Sequence, residues 1–215
     1  ERRRHISIRA VVDRRTARAS TNRLDEAGIR AAAERAVALA KAREPDPELL
    51  PVAPPAEYRD VDRFCPSTAQ LTPAERADAV AGVIAIANEA SQTAAGIYST
   101  SESVEALVNS RGAFAYYFDT NATFSVTMMR RDSSGWAKQS SPDCDVIDPL
   151  ALARRASQKA AASERPREIA PGRDTVILEP PAVQDLLGQM FPDFSATAIH
   201  DRRSFLTDRV GTKVF

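Results

Sequence analysis

Two histidines, His5 and His200, and two cysteines, Cys65 and Cys144, are the strongest metal-ligating side chains in this 215-residue sequence. A catalytic zinc takes three protein ligands, commonly two histidines on one helical face plus a third group from elsewhere. Here the histidines stand at opposite ends of the chain, in neither an HExxH nor an HExxxH frame. Isolated His and Cys are more often packing or surface residues than ligands, so a complete zinc site is not expected from them. Nucleophilic chemistry has one candidate, His200-Asp201 with Ser204 four residues after the histidine. A triad is assembled by geometry from separated loops, so closeness in sequence does not argue for one. GxSxG, a phosphate loop and GxGxxG are all missing, and the 8 glycines are spread singly, so backbone cradles for phosphate are not expected.

Charge gives a second line of reasoning. Arg2, Arg3, Arg4, Arg9, Arg14, Arg15, Arg18 and Arg23 face only Glu1 and Asp13 in the same stretch. Such a cluster can serve nucleic acid, but on an edge hairpin it equally guards against edge pairing or meets residues further upstream, and that second reading is favoured. The whole chain balances 29 basic against 29 acidic groups, which argues against direct nucleic-acid contact. With 27% charged and 43% hydrophobic residues it reads as globular, not disordered. The longest near-continuous apolar run, Ala79 to Ala87, is about half the ~20 residues of a membrane span. Charged residues interrupt the apolar stretch that should follow Arg2-Arg3-Arg4 in an export signal. A cytoplasmic protein with reduced cysteines is expected, and the glycosylation-like Asn121-Ala122-Thr123 then carries no meaning. Because the first residue is Glu1, the chain is expected to begin inside a longer gene product.

These groups must be positioned by elements whose periodicity changes along the chain. His5 to Ser20 alternates with period two, predicting one or two antiparallel strands. Asn22 is positioned to cap a helix carrying Ile29, Ala33, Ala36, Val37 and Ala40 on a narrow face, with Asp25 and Glu26 in its first turn and Lys41 and Arg43 in its last. Six prolines between Pro45 and Pro66 then mark a connection or domain seam. Thr72-Pro73-Ala74-Glu75 is a capping box with proline at the first helical position. Five strands are predicted next: Ala95–Thr100, Val104–Asn109, Ala113–Asp119, Thr123–Arg130 and Gly135–Gln139, with turns at Asn109-Ser110-Arg111-Gly112 and Asp132-Ser133-Ser134-Gly135. Their two faces differ in polarity, as in an antiparallel sheet covered on one side. Asp148-Pro149 starts an Ala-rich helix to about Ser163, Thr175–Leu178 predicts a strand buried on both faces, and Val183, Leu186, Leu187, Met190 and Phe191 form a helical stripe ended by Pro192. The fold class is α+β, an antiparallel sheet over residues 94–140 flanked by helices starting near Thr72 and Asp148.

Several motifs follow one another in a fixed order. Ala19-Ser20-Thr21-Asn22 precedes a helix, Asn109-Ser110-Arg111-Gly112 precedes a Thr-rich alternating strand, and Ser133-Ser134-Gly135-Trp136-Ala137 closes the sheet. Pro171-Gly172-Arg173-Asp174-Thr175-Val176-Ile177-Leu178-Glu179-Pro180-Pro181-Ala182-Val183 comes next, then Ser204-Phe205-Leu206 and Gly211-Thr212-Lys213-Val214-Phe215. This order resembles the TldD/TldE (PmbA) family, whose members are named as modulators of DNA gyrase, over nearly the whole chain. The resemblance implies three parts: residues 1–66 as the end of an N-terminal α+β domain with its Pro-rich connection, 67–170 as a helix-sheet-helix region, and 171–215 as the start of a C-terminal domain.

It also implies a bacterial, cytosolic metalloprotease system. In such a system a TldD subunit carries zinc on an HExxxH helix, a TldE subunit pairs with it, and peptide or unfolded substrates enter the cavity between them. Laid on this chain by Ser204-Phe205-Leu206, the HExxxH frame becomes Gly188-Gln189-Met190-Phe191-Pro192-Asp193. Gly188 has no ligand side chain, Gln189 cannot shuttle a proton, and Pro192 would end the helix before Asp193, the second ligand position. The expected function is therefore a non-catalytic TldE/PmbA-like subunit, or a divergent relative, that shapes a peptide cavity and pairs with a TldD-like catalytic partner or with a second copy of itself. No cofactor is expected in this chain, zinc belonging to the partner. The competing readings are an autonomous peptidase with an unrecognised site and a gyrase regulator without protease activity.

Overall fold

The computed structural model describes residues 2–59 and 61–213. It divides into two compact units, residues 1–59 with 106–116, and residues 60–105 with 117–215.

In the first unit, β1 (Ile6–Val12) and β2 (Arg15–Thr21) form an antiparallel ribbon in which Ile6 faces Thr21, Arg9 faces Arg18 and Val12 faces Arg15. Asp13 and Arg14 both take left-handed φ angles of 48° and 59° at its two-residue turn, which matches the twist of the strands. Alternation puts Ile6, Ile8, Ala10 and Ala19 toward α1 (Glu26–Lys41), which buries Ala32, Ala36 and Ala40. The helix starts later than Asn22 would place it. Asp25 is the cap, its carboxylate accepting from the Gly28 amide at 2.8 Å and from the Arg23 guanidinium at 3.0 and 3.1 Å. The hydrogen bond from Arg23 holds the Asp25 carboxyl below its ordinary pKa, with the Gly28 amide adding to the effect. Arginine also fastens the Pro-rich stretch: Arg14 donates to the Pro47 carbonyl, and Arg15 Nε to that of Arg43 at 2.9 Å. Asn109 and Arg111, in the turn where Gly112 has φ of +88°, donate to the carbonyls of Ala53 and Val52, each at 2.9 Å.

The five predicted strands become three, which belong to the second unit except for residues 106–116 at the turn joining the first two of them. β3 (Thr93–Val108) and β4 (Phe114–Met129) are 16 residues each, and β5 (Ser134–Ser141) completes a sheet of order β3-β4-β5. The predicted breaks near residues 101–103 and 120–122 contain no glycine or proline, so nothing there stops an extended backbone. Thr120, Ala122, Phe124, Val126 and Met128 are buried in strict alternation on β4. They meet α3 (Pro73–Glu89) and α4 (Pro149–Ala162), which supply Val83, Ala87, Leu152, Ala153, Ala156 and Ala160 to the same core. Tyr98 stands edge-on to Phe124 with ring centroids 5.6 Å apart. Both helices start where the sequence predicts. Thr72 and Glu75 form a reciprocal capping box, and the Asp148 side chain accepts from the Ala151 amide at 2.9 Å.

A short helix, α2 (Pro66–Gln70), lies in the Pro-rich region where only a connection is predicted. It brings in Thr68, fully buried like Thr120. Both hydroxyls donate to the Pro142 carbonyl, at 2.8 and 2.9 Å, while Thr68 accepts from the Cys144 amide and Thr120 from the Cys65 amide. Residues 175–178, expected as a strand buried on both faces, pair with no strand among the described residues, and Ile177 is 94% exposed. No helix among the described residues is long and apolar enough to cross a membrane.

The closest packing is between α4 and β5. A Cβ placed on Gly135 would stand 2.1 Å from the Ala156 carbonyl oxygen and 2.5 Å from the Ala160 nitrogen, both backbone atoms of α4. Gly135→Ala is therefore expected to push α4 off the sheet and cost about 1–3 kcal/mol, read from urea unfolding. An unchanged midpoint would show that the helix shifts freely. The capping box supplies a pH prediction. The Thr72 amide and hydroxyl hold the Glu75 pKa below its ordinary value. The stabilisation is therefore complete above the unfolded-state value and lost as pH falls through the lowered one. The stability gap between wild type and Glu75→Gln should be largest near neutrality and close in acid, which melting curves across pH would show.

Candidate functional site

Residues Gly188 to Asp193, on which the sequence expectation lays the HExxxH frame, fall on α5 (Pro180–Met190) and the turn after it. Pro180 opens the helix at a position where its missing N–H costs nothing. The preceding Glu179 pairs with Lys159 of α4, whose ammonium also donates to the Trp136 carbonyl of β5 at 2.8 Å. One lysine thus ties the start of α5 to the sheet. The stripe read from the sequence forms, but none of its residues is buried. Leu178, Pro180, Val183, Gln184, Leu187 and Phe191 line an open, mostly apolar groove of about 590 Å³.

Gly188 and Gln189 sit in the last turn of α5, whereas Asp193 lies beyond the helix in a 3-10 turn, Phe191–Phe194. Nothing lies within 4 Å of a Cβ built on Gly188. The chain then enters α6 (Ala196–His200), held by ring contacts of Phe194 with Phe191 at 6.1 Å and with Phe205 at 6.0 Å. Ser204 is buried at the centre of this turn structure. Its hydroxyl donates to the Asp193 carbonyl at 2.7 Å and accepts from the Leu206 amide at 2.9 Å. The Asp201 carboxylate is taken by Arg203 at 2.9 Å. The His200-Asp201-Ser204 grouping therefore builds a turn, and its serine is committed to backbone.

Among the described residues, the one group of three or more side chains close enough to share a metal ion is Asp143, Cys144 and Asp145, with ligand atoms within 4.8 Å of one another. Neither histidine belongs to it. Asp143 Oδ1 accepts from the Ser67 hydroxyl at 2.8 Å and the Asp145 amide at 3.0 Å, capping the 3-10 turn Cys144–Val146. The cluster is explained as a turn cap. Its signal in the sequence was the run Asp-Cys-Asp itself, legible only once the turn and Thr68 are known to fold it back.

The fold of this chain recurs in solved structures. Two are candidate modulators of DNA gyrase, from Thermotoga maritima (17% identity, TM-score 0.80, covering 97% of this chain and 49% of that one) and Bacteroides thetaiotaomicron (19%, 0.81, 97% and 50%). A third is TldE from Thermococcus kodakarensis (17%, 0.75, 96% and 49%). At these identities the likeness is one of fold, and the chain spans about half the length of each relative. No curated protein matches the sequence. The domain models of the PmbA/TldA metallopeptidases match in order, domain 1 over residues 1–40, the central domain over 22–164 and the C-terminal domain over 171–215, and the chain belongs to this PmbA/TldD family.

Because open space surrounds Gly188 within a helix, Gly188→Ala is expected to stabilise the protein by roughly 0.5–1 kcal/mol through helix propensity. Differential scanning calorimetry should show a small rise in Tm. A fall would mean that Gly188 is needed bare against something this chain contacts in its working state.

Proposed function

We propose that this chain is a non-catalytic, TldE/PmbA-like part of a TldD/TldE-type metallopeptidase system. In this reading it walls a cavity for peptide or unfolded-protein substrates in the cytoplasm and pairs with an HExxxH-bearing subunit or a second copy of itself. The observation that carries the reading is the segment Gly188–Asp193. A glycine and a glutamine stand where a ligand and a proton-transferring glutamate would be, and the helix stops at Met190, so Asp193 leaves the helical face. A glutamine amide can donate and accept hydrogen bonds but cannot move a proton at neutral pH. What α5 can supply is apolar surface, through Val183, Leu187 and Phe191, along which an extended peptide could lie without sequence-specific contacts. The division at residues 1–66, 67–170 and 171–215 belongs to the same proposal.

The test is co-purification of the full-length protein with its HExxxH-bearing paralogue, followed by casein cleavage with each subunit alone and with both together. The expected result is no cleavage and no stoichiometric zinc for this protein alone, and chelator-sensitive cleavage for the pair. Chelator-insensitive cleavage by this protein alone would make it an autonomous peptidase. A stable pair that cleaves nothing while altering DNA supercoiling by gyrase would favour the regulatory reading instead.

A further inference from the structure

We draw no further inference here: the strongest candidate, the open cleft between the β4–β5 turn and the end of α4 where Arg130 and Arg131 stand beside Asp132 and Ser134, carries nothing because Arg130 is already paired with Glu164 and nothing in the structure shows what fills it.

Discussion

The approach of α4 to β5 is the constraint on which the second unit depends. The helix lies so near the strand that its own backbone occupies the space of a side chain at Gly135, and Ala153, Ala156 and Ala160 have no exposed surface at all. Small residues on both partners set this distance, and the distance sets the rest. With α4 pressed down, Leu152 reaches the Val126 and Met128 layer, α3 fits beside it through Val83 and Ala87, and the sheet has one covered face. The arrangement also fixes Lys159, which must lie over β5 to bind the Trp136 carbonyl and Glu179 together. A tight helix–strand contact made of alanines is thus linked, through Lys159, to Glu179, the residue before α5.

A second constraint is polar. Thr68 and Thr120 are fully buried and converge on one carbonyl, that of Pro142, while each accepts a backbone amide from another segment. Proline supplies a carbonyl without an amide, so the junction between β5 and α4 has one fewer donor to satisfy at this crowded point. Removing the Thr68 hydroxyl would strand the buried Cys144 amide, which is costlier than losing a hydrogen bond at the surface. This clamp joins α2, the middle of β4 and the turn Cys144–Val146, three segments far apart in sequence.

Periodicity and capping chemistry made most of the second unit legible in advance. Thr72-Pro73-Ala74-Glu75 and Asp148-Pro149 located α3 and α4 because each signal is local and complete within four residues. Alternation at Phe124, Val126 and Met128 located the covered face for the same reason. The failures have physical causes as well. Asn22 and Asp25 are both competent caps, and the choice fell to Asp25 because Arg23 steadies its carboxylate. The continuity of β3 and β4 depended on cross-strand pairing that no local pattern announces. Residues 175–178 have the composition of a buried strand, but a strand is defined by its neighbours, and among the described residues it has none. In the candidate site, the side-chain types at Gly188, Gln189 and Asp193 could be read letter by letter. That Ser204 is a structural hydroxyl and that Asp143–Asp145 folds into a cluster could not, since both depend on carbonyls and amides that sequence does not place.

Fold and chemistry separate cleanly at α5. The features that position the helix are the proline at its first turn, the Glu179–Lys159 pair and the aromatic contacts of Phe191, Phe194 and Phe205, and none of these needs a metal-binding side chain. The residues that would do chemistry in the frame are at its C-terminal end, where the helix passes into a 3-10 turn and Pro192 forbids its continuation. Among the described residues, the contacts that hold this segment come from the N-terminal side of α5, through Glu179 and Lys159, and from the turn around Ser204, through the Phe191 ring and the Asp193 carbonyl, and the Gln189 and Asp193 side chains supply none of them.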